Sequence, residues 1–521
     1  MTRIYLYDTT LRDGVQMQGV DLSVSDKKYL LSKLDAFKID YVEGGWPGAN
    51  PIDTAFFDAF EPTLYTKVSA FGMTQKQPSS SFDKVLENKA PCVTIVGKSW
   101  DFHVTHALGI SLDENLALIR ESVLRAKTFG KEVLFDAEHF FDGFKANPDY
   151  AISCIKTAWE AGASWLVLCD TNGGTLPFEI EERIKAVSER LPKAPLGVHC
   201  HNDTGNAVAN SLAAVRAGVR LIQGTINGVG ERCGNADLMA IIPTLMLKMG
   251  FETGLTRDDL KHLTNLSGTL YERLNLLPNK YQPYVGASAF THKGGLHVSA
   301  IAKSPVSYEH INPEEIGNRR RILVSQQSGK SNILSFLKTM GIETDRKDPR
   351  IGELLKIVKE KEYKGYSYDG AEASFELLVK NFLSMVPVFF ELSSFRVIDE
   401  RRYNIKGELV TTSDATVRMR VDGKDYIEAA DGNGPVDALA NALFKVLIPV
   451  YGCLKDFRLE DYKVRIFDSD KGTGSTTRVL IDAADKEGHH WSTVGFSDDI
   501  IDASFQALQD SILYKLMLSY K

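Results

Sequence analysis

The 521-residue chain has no run approaching the ~18 consecutive apolar residues of a membrane-spanning helix, so no membrane association is expected. It has no excess of positive charge either. Its 61 lysines and arginines against 68 aspartates and glutamates leave a net charge of -7, which provides no electrostatic footprint for nucleic acid. The six cysteines (Cys92, Cys154, Cys169, Cys200, Cys233 and Cys453) are scattered without a CxxC pair, which excludes a disulfide scaffold and points to reduced thiols. The amino-terminal MTRIYLYDTTLRDG lacks the long apolar stretch of a signal peptide, so the expected compartment is the cytoplasm. No GxGxxG follows the first β-rich run. The turn there reads TLRDGVQMQG, which argues against an open dinucleotide-binding sheet.

What is present is an ordinary globular composition, 43% hydrophobic and 25% charged, in a chain long enough for roughly two to four domains. Eight short β-rich runs recur, at 4–8, 41–45, 67–72, 92–97, 132–138, 165–170, 196–201 and 221–225. Most are separated by amphipathic helical segments. In SVSDKKYLLSKLDAF, for example, Ser23 and Asp26 have the spacing of a capping box, and Leu30, Leu34 and Phe37 share one face. Strands alternating with crossover helices require a parallel sheet, and eight such units predict an α/β fold, a closed (β/α)8 TIM barrel over residues 1–252.

Polar residues gather where these apolar runs stop. In LGVHCHND, strand alternation sends His199 and His201 to one face and Cys200 to the other. Two neutral imidazoles at that spacing, with a carboxylate, suit a divalent first-row metal. Asp13 in LRDG is the candidate third ligand, because all barrel strands deliver their following loops to the same mouth. Two hydrogen-bonded histidines without metal remain the competing reading. Glu43, Glu138, Asp170, Thr171, Asn202 and Asp203 also fall at strand ends, and the loop NGVGERCGNADL has glycines that permit tight turns bringing Asn235 to a ligand.

The segments DTTLRDG (8–14), HCHND (199–203) and GERCGNA (230–236) resemble the signatures of the metal-dependent acyltransferases that include isopropylmalate, homocitrate and citramalate synthases. YVEGGWPGANP, VGKSWDFHV, DAEHFFDG and FTHKGGLHVSA are similar to long citramalate-type members, and the similarity runs from end to end. The resemblance implies a Claisen-type condensation of acetyl-CoA with pyruvate, supplying isoleucine biosynthesis without threonine. The alternative is an isopropylmalate- or homocitrate-type condensation with another 2-oxo acid. A non-catalytic sensor is disfavoured by the intact site residues.

The same resemblance makes Asp13, His199 and His201 ligands of a divalent metal ion (Mn, Mg, Zn or Co), with Asn235 beside it. It gives Arg12 the oxo-acid oxygen, Thr171 its carboxylate, Glu138 a place near the acyl group, His297 proton abstraction and Tyr308 a supporting role. Two positions depart from the family pattern: Val15 replaces a frequent glutamate, and His297 is followed by Val298 and Ser299 where leucine-pathway relatives often have HxD.

Residues 253–388 are read as a mainly helical, charged connector; the family resemblance implies that it completes the active site between protomers, and with that a homodimer or a larger homo-oligomer. Residues 389–521 turn β-rich and hold an approximate repeat at an offset of 65, pairing Val436 with Ile501, Asp437 with Asp502 and Leu443 with Leu508. The expectation is a C-terminal α+β domain of two ββα-like halves. It resembles the family's allosteric and dimerisation domain, with isoleucine as the expected feedback effector.

Overall fold

The computed structural model describes residues 3–323, 329–345, 347–366, 368, 370–403, 405–466 and 475–520. They divide into two compact units, Met1–Phe290 with Glu309–Arg320 and Thr291–Tyr308 with Arg321–Lys521. Residues 253–388 are thus shared between the two.

In the first unit, strands β1 (Tyr5–Asp8), β2 (Tyr41–Gly45), β3 (Lys67–Met73), β4 (Cys92–Lys98), β5 (Glu132–Glu138), β6 (Trp165–Asp170), β7 (Leu196–Cys200) and β8 (Leu221–Gly224) close into a barrel in sequence order. Parallel pairing of β1 with β8, from Tyr5↔Leu221 to Asp8↔Gly224, completes the ring. The helix Val24–Ala36 begins as its sequence predicts: the Ser23 side chain accepts from Asp26 N, Asp26 answers through its carboxylate, and Leu30 and Leu34 are buried.

Two apolar zones follow from strands covered on both faces. Inside the barrel, Tyr7, Tyr41, Cys92, Leu134, Val167, Cys169 and Leu221 fill the lower layers. Outside, residues such as Leu6, Val42, Ile95, Phe135, Val198 and Cys200 pack in the main core cluster with helical side chains such as Leu30 and Ile119. Cys200 therefore faces away from the interior, as alternation requires. Polar groups also line the interior, with Ser69 and Thr94 buried mid-strand and Glu43, Asp136 and Gln223 buried farther toward the site.

The second unit carries the helix Gly295–Lys303, three longer helices (Lys330–Thr339, Pro349–Tyr363, Glu372–Phe382) and two similar β-rich halves. With β9 (Thr291–His292) and β10 (Arg321–Ile322) forming a short pair, the first half has β11 (Phe390–Tyr403), β12 (Leu409–Val421) and β13 (Lys424–Gly432), followed by the helix Pro435–Val450. The second half has β14 (Arg458–Ile466), β15 (Thr477–Ala484), β16 (His490–Ser497) and the helix Ile500–Ser519.

Each half therefore has one strand more than a ββα unit. That strand lies at a sheet edge and is largely exposed: the charged IDERRY of β11 has no apolar alternation to mark it, yet it pairs along β12 to Tyr403↔Leu409. The 65-residue offset is realised in the core, where Ala438 and Ala503, and Leu443 and Leu508, are buried in one cluster. Among the described residues, no helix is long and apolar enough to cross a membrane.

Candidate active site

At the C-terminal mouth of the barrel the ends of β1 and β7 bring Asp13, His199 and His201 together, all three nearly enclosed. His199 Nε2 lies 3.2 Å from His201 Nε2 and 3.4 Å from Asp13 Oδ2. These groups could hold a metal ion. Burial pushes the Asp13 carboxyl up, but Arg12, both imidazoles and Asn235 outweigh it and hold it at about 2, so it is ionised at neutral pH. Burial, reinforced by His199, lowers His201 to about 4, and burial also lowers His199. Two neutral imidazoles and one carboxylate thus converge, and the buried Nδ1 of His201 has no partner among the described residues. A set of nitrogen lone pairs and a charged oxygen with too few hydrogens between them fits a divalent cation.

The loop after β8 is tied to the same cluster. His201 and Asn235 form an isolated antiparallel bridge, Ala236 N donates to Cys200 O at 3.0 Å, and Asn235 Nδ2 donates to Asp13 Oδ2 at 2.6 Å. The glycines of GERCGNA are sterically required. A Cβ on Gly234, which has φ +89°, would lie 2.1 Å from Gly228 O, and one on Gly230 would meet Asn235 Oδ1 at 2.5 Å.

Arg12 lies beside this cluster, its guanidinium carbon 4.0 Å from the centre of the Phe71 ring. Its Nε donates to Glu43 Oε2 at 2.6 Å, and Nη1 stands 3.6 Å from Asp13 Oδ1. Glu43 is fully buried and also accepts from Tyr7 Oη at 3.2 Å, while Tyr7 Oη is 2.6 Å from Thr94 Oγ1. Burial raises the Glu43 carboxyl despite the opposing arginine. The pair holds the guanidinium through its Nε.

Glu138, at the end of β5, forms an ion pair with Lys98 at the end of β4. Both line a cavity of about 150 Å³ whose remaining wall is mostly apolar, from Met73, Val96, Leu108, Ile110 and Leu118. Thr171 Oγ1 accepts from His139 N at 2.8 Å, so its own hydrogen is left to donate elsewhere.

His297 and Tyr308 belong to the second unit, where their rings stack at 4.1 Å between centroids. Three other strand-end residues are engaged by neighbouring groups. Asp170 turns outward to Thr175 Oγ1 at 2.7 Å, Asn202 Oδ1 accepts from Ala207 N at 3.1 Å to start a helix, and Asp203 pairs with Arg232 at 2.8 Å. Lys98, Asp136 and Gln223 were not singled out from sequence. Gln223 carried a usable signal, a lone amide inside the apolar run LIQGT, and Lys98 lies one residue past the run at 92–97.

The HMGL-like family model matches residues 3–267, the homocitrate synthase post-HMGL domain-like model residues 284–364, and the LeuA allosteric (dimerisation) domain model residues 369–516. The (R)-citramalate synthase of Geobacter sulfurreducens is 51% identical over 523 residues, covering 99% of this chain and 98% of that protein. That of Aquifex aeolicus is 48% identical, with 99% and 98% covered, and that of Synechocystis sp. 45% identical, with 99% and 97% covered.

Proposed function

The chain belongs to the HMGL-like family and within it to the (R)-citramalate synthases, and on that premise we propose that it joins acetyl-CoA to pyruvate and water, releasing (R)-citramalate and free coenzyme A. The product enters isoleucine biosynthesis without threonine as precursor. The observation that carries this reading is the buried convergence of Asp13, His199 and His201 beside Arg12, in a chain aligned along its whole length with such enzymes.

A divalent ion held by Asp13, His199 and His201 would polarise the keto oxygen of the 2-oxo acid and orient its carboxylate. Its identity among Mn, Mg, Zn and Co is set by availability as well as affinity. Asn235 steadies Asp13, and the Thr171 hydroxyl donates to the substrate carboxylate. Arg12, with Nε committed to Glu43, keeps its other nitrogens for the keto oxygen as negative charge develops there.

Carbon–carbon bond formation requires a proton to leave the acetyl methyl group. We assign its removal to a base at Glu138 or His297, with Tyr308 in support. The freed electron pair bonds to the keto carbon of pyruvate, and the keto oxygen takes up a proton to become the tertiary alcohol. Water then breaks the thioester carbon–sulfur bond.

The match along the whole chain to (R)-citramalate synthases supports pyruvate as the 2-oxo acid, with its methyl group in an apolar pocket. One methylene in such a pocket is worth about 1–3 kcal/mol, so wall residues tune the preference. Steady-state comparison of pyruvate, 2-oxobutyrate, 2-oxoisovalerate and 2-oxoglutarate tests the choice. Pyruvate is expected to give the highest kcat/KM, and a higher value for any other acid rejects it.

The match of residues 369–516 to an allosteric and dimerisation domain supports a homodimer or larger homo-oligomer under feedback control. Isoleucine, as end product, is the proposed effector. Its titration against the full chain should depress the rate, and an unchanged rate at saturation dismisses the regulatory assignment.

A further inference from the structure

Behind His199 a hydrogen-bonded chain crosses the barrel interior. His199 Nδ1 lies 2.8 Å from Gln223 Oε1, and Gln223 Nε2 donates to Asp136 Oδ1 at 3.0 Å. The three residues come from β7, β8 and β5, and all are buried.

The side chain in the middle has two unlike ends. Because Asp136 takes the amide nitrogen of Gln223, the amide oxygen is turned toward His199. An amide oxygen only accepts, so the neutral imidazole carries its hydrogen on Nδ1 and presents a bare lone pair at Nε2. That lone pair points at the place where His201 Nε2 and Asp13 Oδ2 also converge.

Reversing the amide inverts the site. A donor facing His199 Nδ1 would move the imidazole hydrogen to Nε2, from which it would point at His201 or Asp13 and fill the position of an ion. The same three side chains would then be a closed hydrogen-bonded cluster. The two competing readings of the histidine pair therefore differ by the orientation of one buried amide.

We propose that Asp136 and Gln223 are positioning residues that fix His199 in the tautomer able to bind a divalent cation. This rests on the reading of Asp13, His199 and His201 as ligands. Groups behind a ligating histidine commonly change metal affinity by about 10- to 100-fold when removed.

The test is binding of manganese(II), followed by calorimetry on the full-length chain without substrate, so that it does not depend on turnover. Asp136→Leu frees the amide and should weaken binding by about 10- to 100-fold. Adding Gln223→Glu to that variant supplies an acceptor whichever way the side chain turns, and should recover most of the loss. A role for Asp136 in packing alone would show no such recovery. If Asp136→Leu does not fold, the comparison of Gln223→Leu with Gln223→Glu replaces it: the first should lose affinity and the second keep it. Wild-type affinity in Asp136→Leu or Gln223→Leu, or a folded double variant that recovers nothing, overturns the proposal. His199→Ala and His201→Ala separate the two levels. If they bind manganese(II) as the wild type does, the ligand reading itself fails, whereas if only they lose binding, the positioning inference alone is wrong.

Discussion

Lys98 and Glu138 are register partners at the ends of neighbouring strands β4 and β5, and their side chains close an ion pair at the barrel mouth. The pairing holds the carboxylate on the wall of the small cavity. Lys98→Met should release it and lower kcat by about 10²-fold, the usual cost of a displaced catalytic group, with a smaller change in KM for pyruvate. Lys98→Arg should retain more of the rate. Equal kcat in Lys98→Met and wild type would show that the ion pair has no part in turnover.

Arg12 and Glu43 are coupled more tightly, because Glu43 is fully buried. Arg12→Ala leaves that carboxylate without its cation, so the variant should lose stability by about 3–5 kcal/mol as well as activity. Arg12→Met with Glu43→Gln removes both charges. It should regain thermal stability relative to Arg12→Ala and remain slow in the condensation. Recovered activity in the double variant would remove Arg12 from the chemistry.

The buried carboxyl of Asp8 is pushed up to about 7 by burial, against hydrogen bonds from Thr10 that favour its ionised form. Between its unfolded value of 3.8 and about 7, the folded chain holds a proton that the unfolded chain has lost. This group's contribution to stability therefore falls as pH rises through that window and is constant above it. Asp8→Asn cannot titrate. Melting temperatures of the two proteins from pH 4 to pH 8 should show the wild type losing ground to the variant up to about 7. Parallel curves would contradict this.

The repeated halves of the C-terminal region share one core through Leu443 and Leu508. Truncating either to alanine should cost about 2–5 kcal/mol in unfolding of that region, and the equivalent positions should behave alike. Thermal unfolding of each variant checks this. An unchanged transition for one of the pair would break the equivalence.

Much of this architecture was legible in the sequence because two periodicities write it plainly. The runs around Val42, Ile95 and Val198 alternate with amphipathic helices, and alternation alone separated His199 and His201 from Cys200. Sequence position could not show direction beyond the strand ends. Asp170 and Asn202 sit where mouth residues would, but the chain turns there and their side chains satisfy local donors. The second half of edge strand β11, residues 398–403, was hidden by its charge, since a stretch exposed on both faces needs no apolar pattern. The chain from His199 through Gln223 to Asp136 depends on β5, β7 and β8 facing one another, which no linear spacing reveals.

The most direct test of the central claim is coenzyme A release from acetyl-CoA with pyruvate, measured on the wild type before and after complete removal of divalent metal. The site predicts that activity vanishes on chelation, returns when a divalent ion is restored, and does not return in His199→Ala or His201→Ala. Turnover that persists in metal-free protein would contradict the assignment of Asp13, His199 and His201 as the ligands on which the condensation depends.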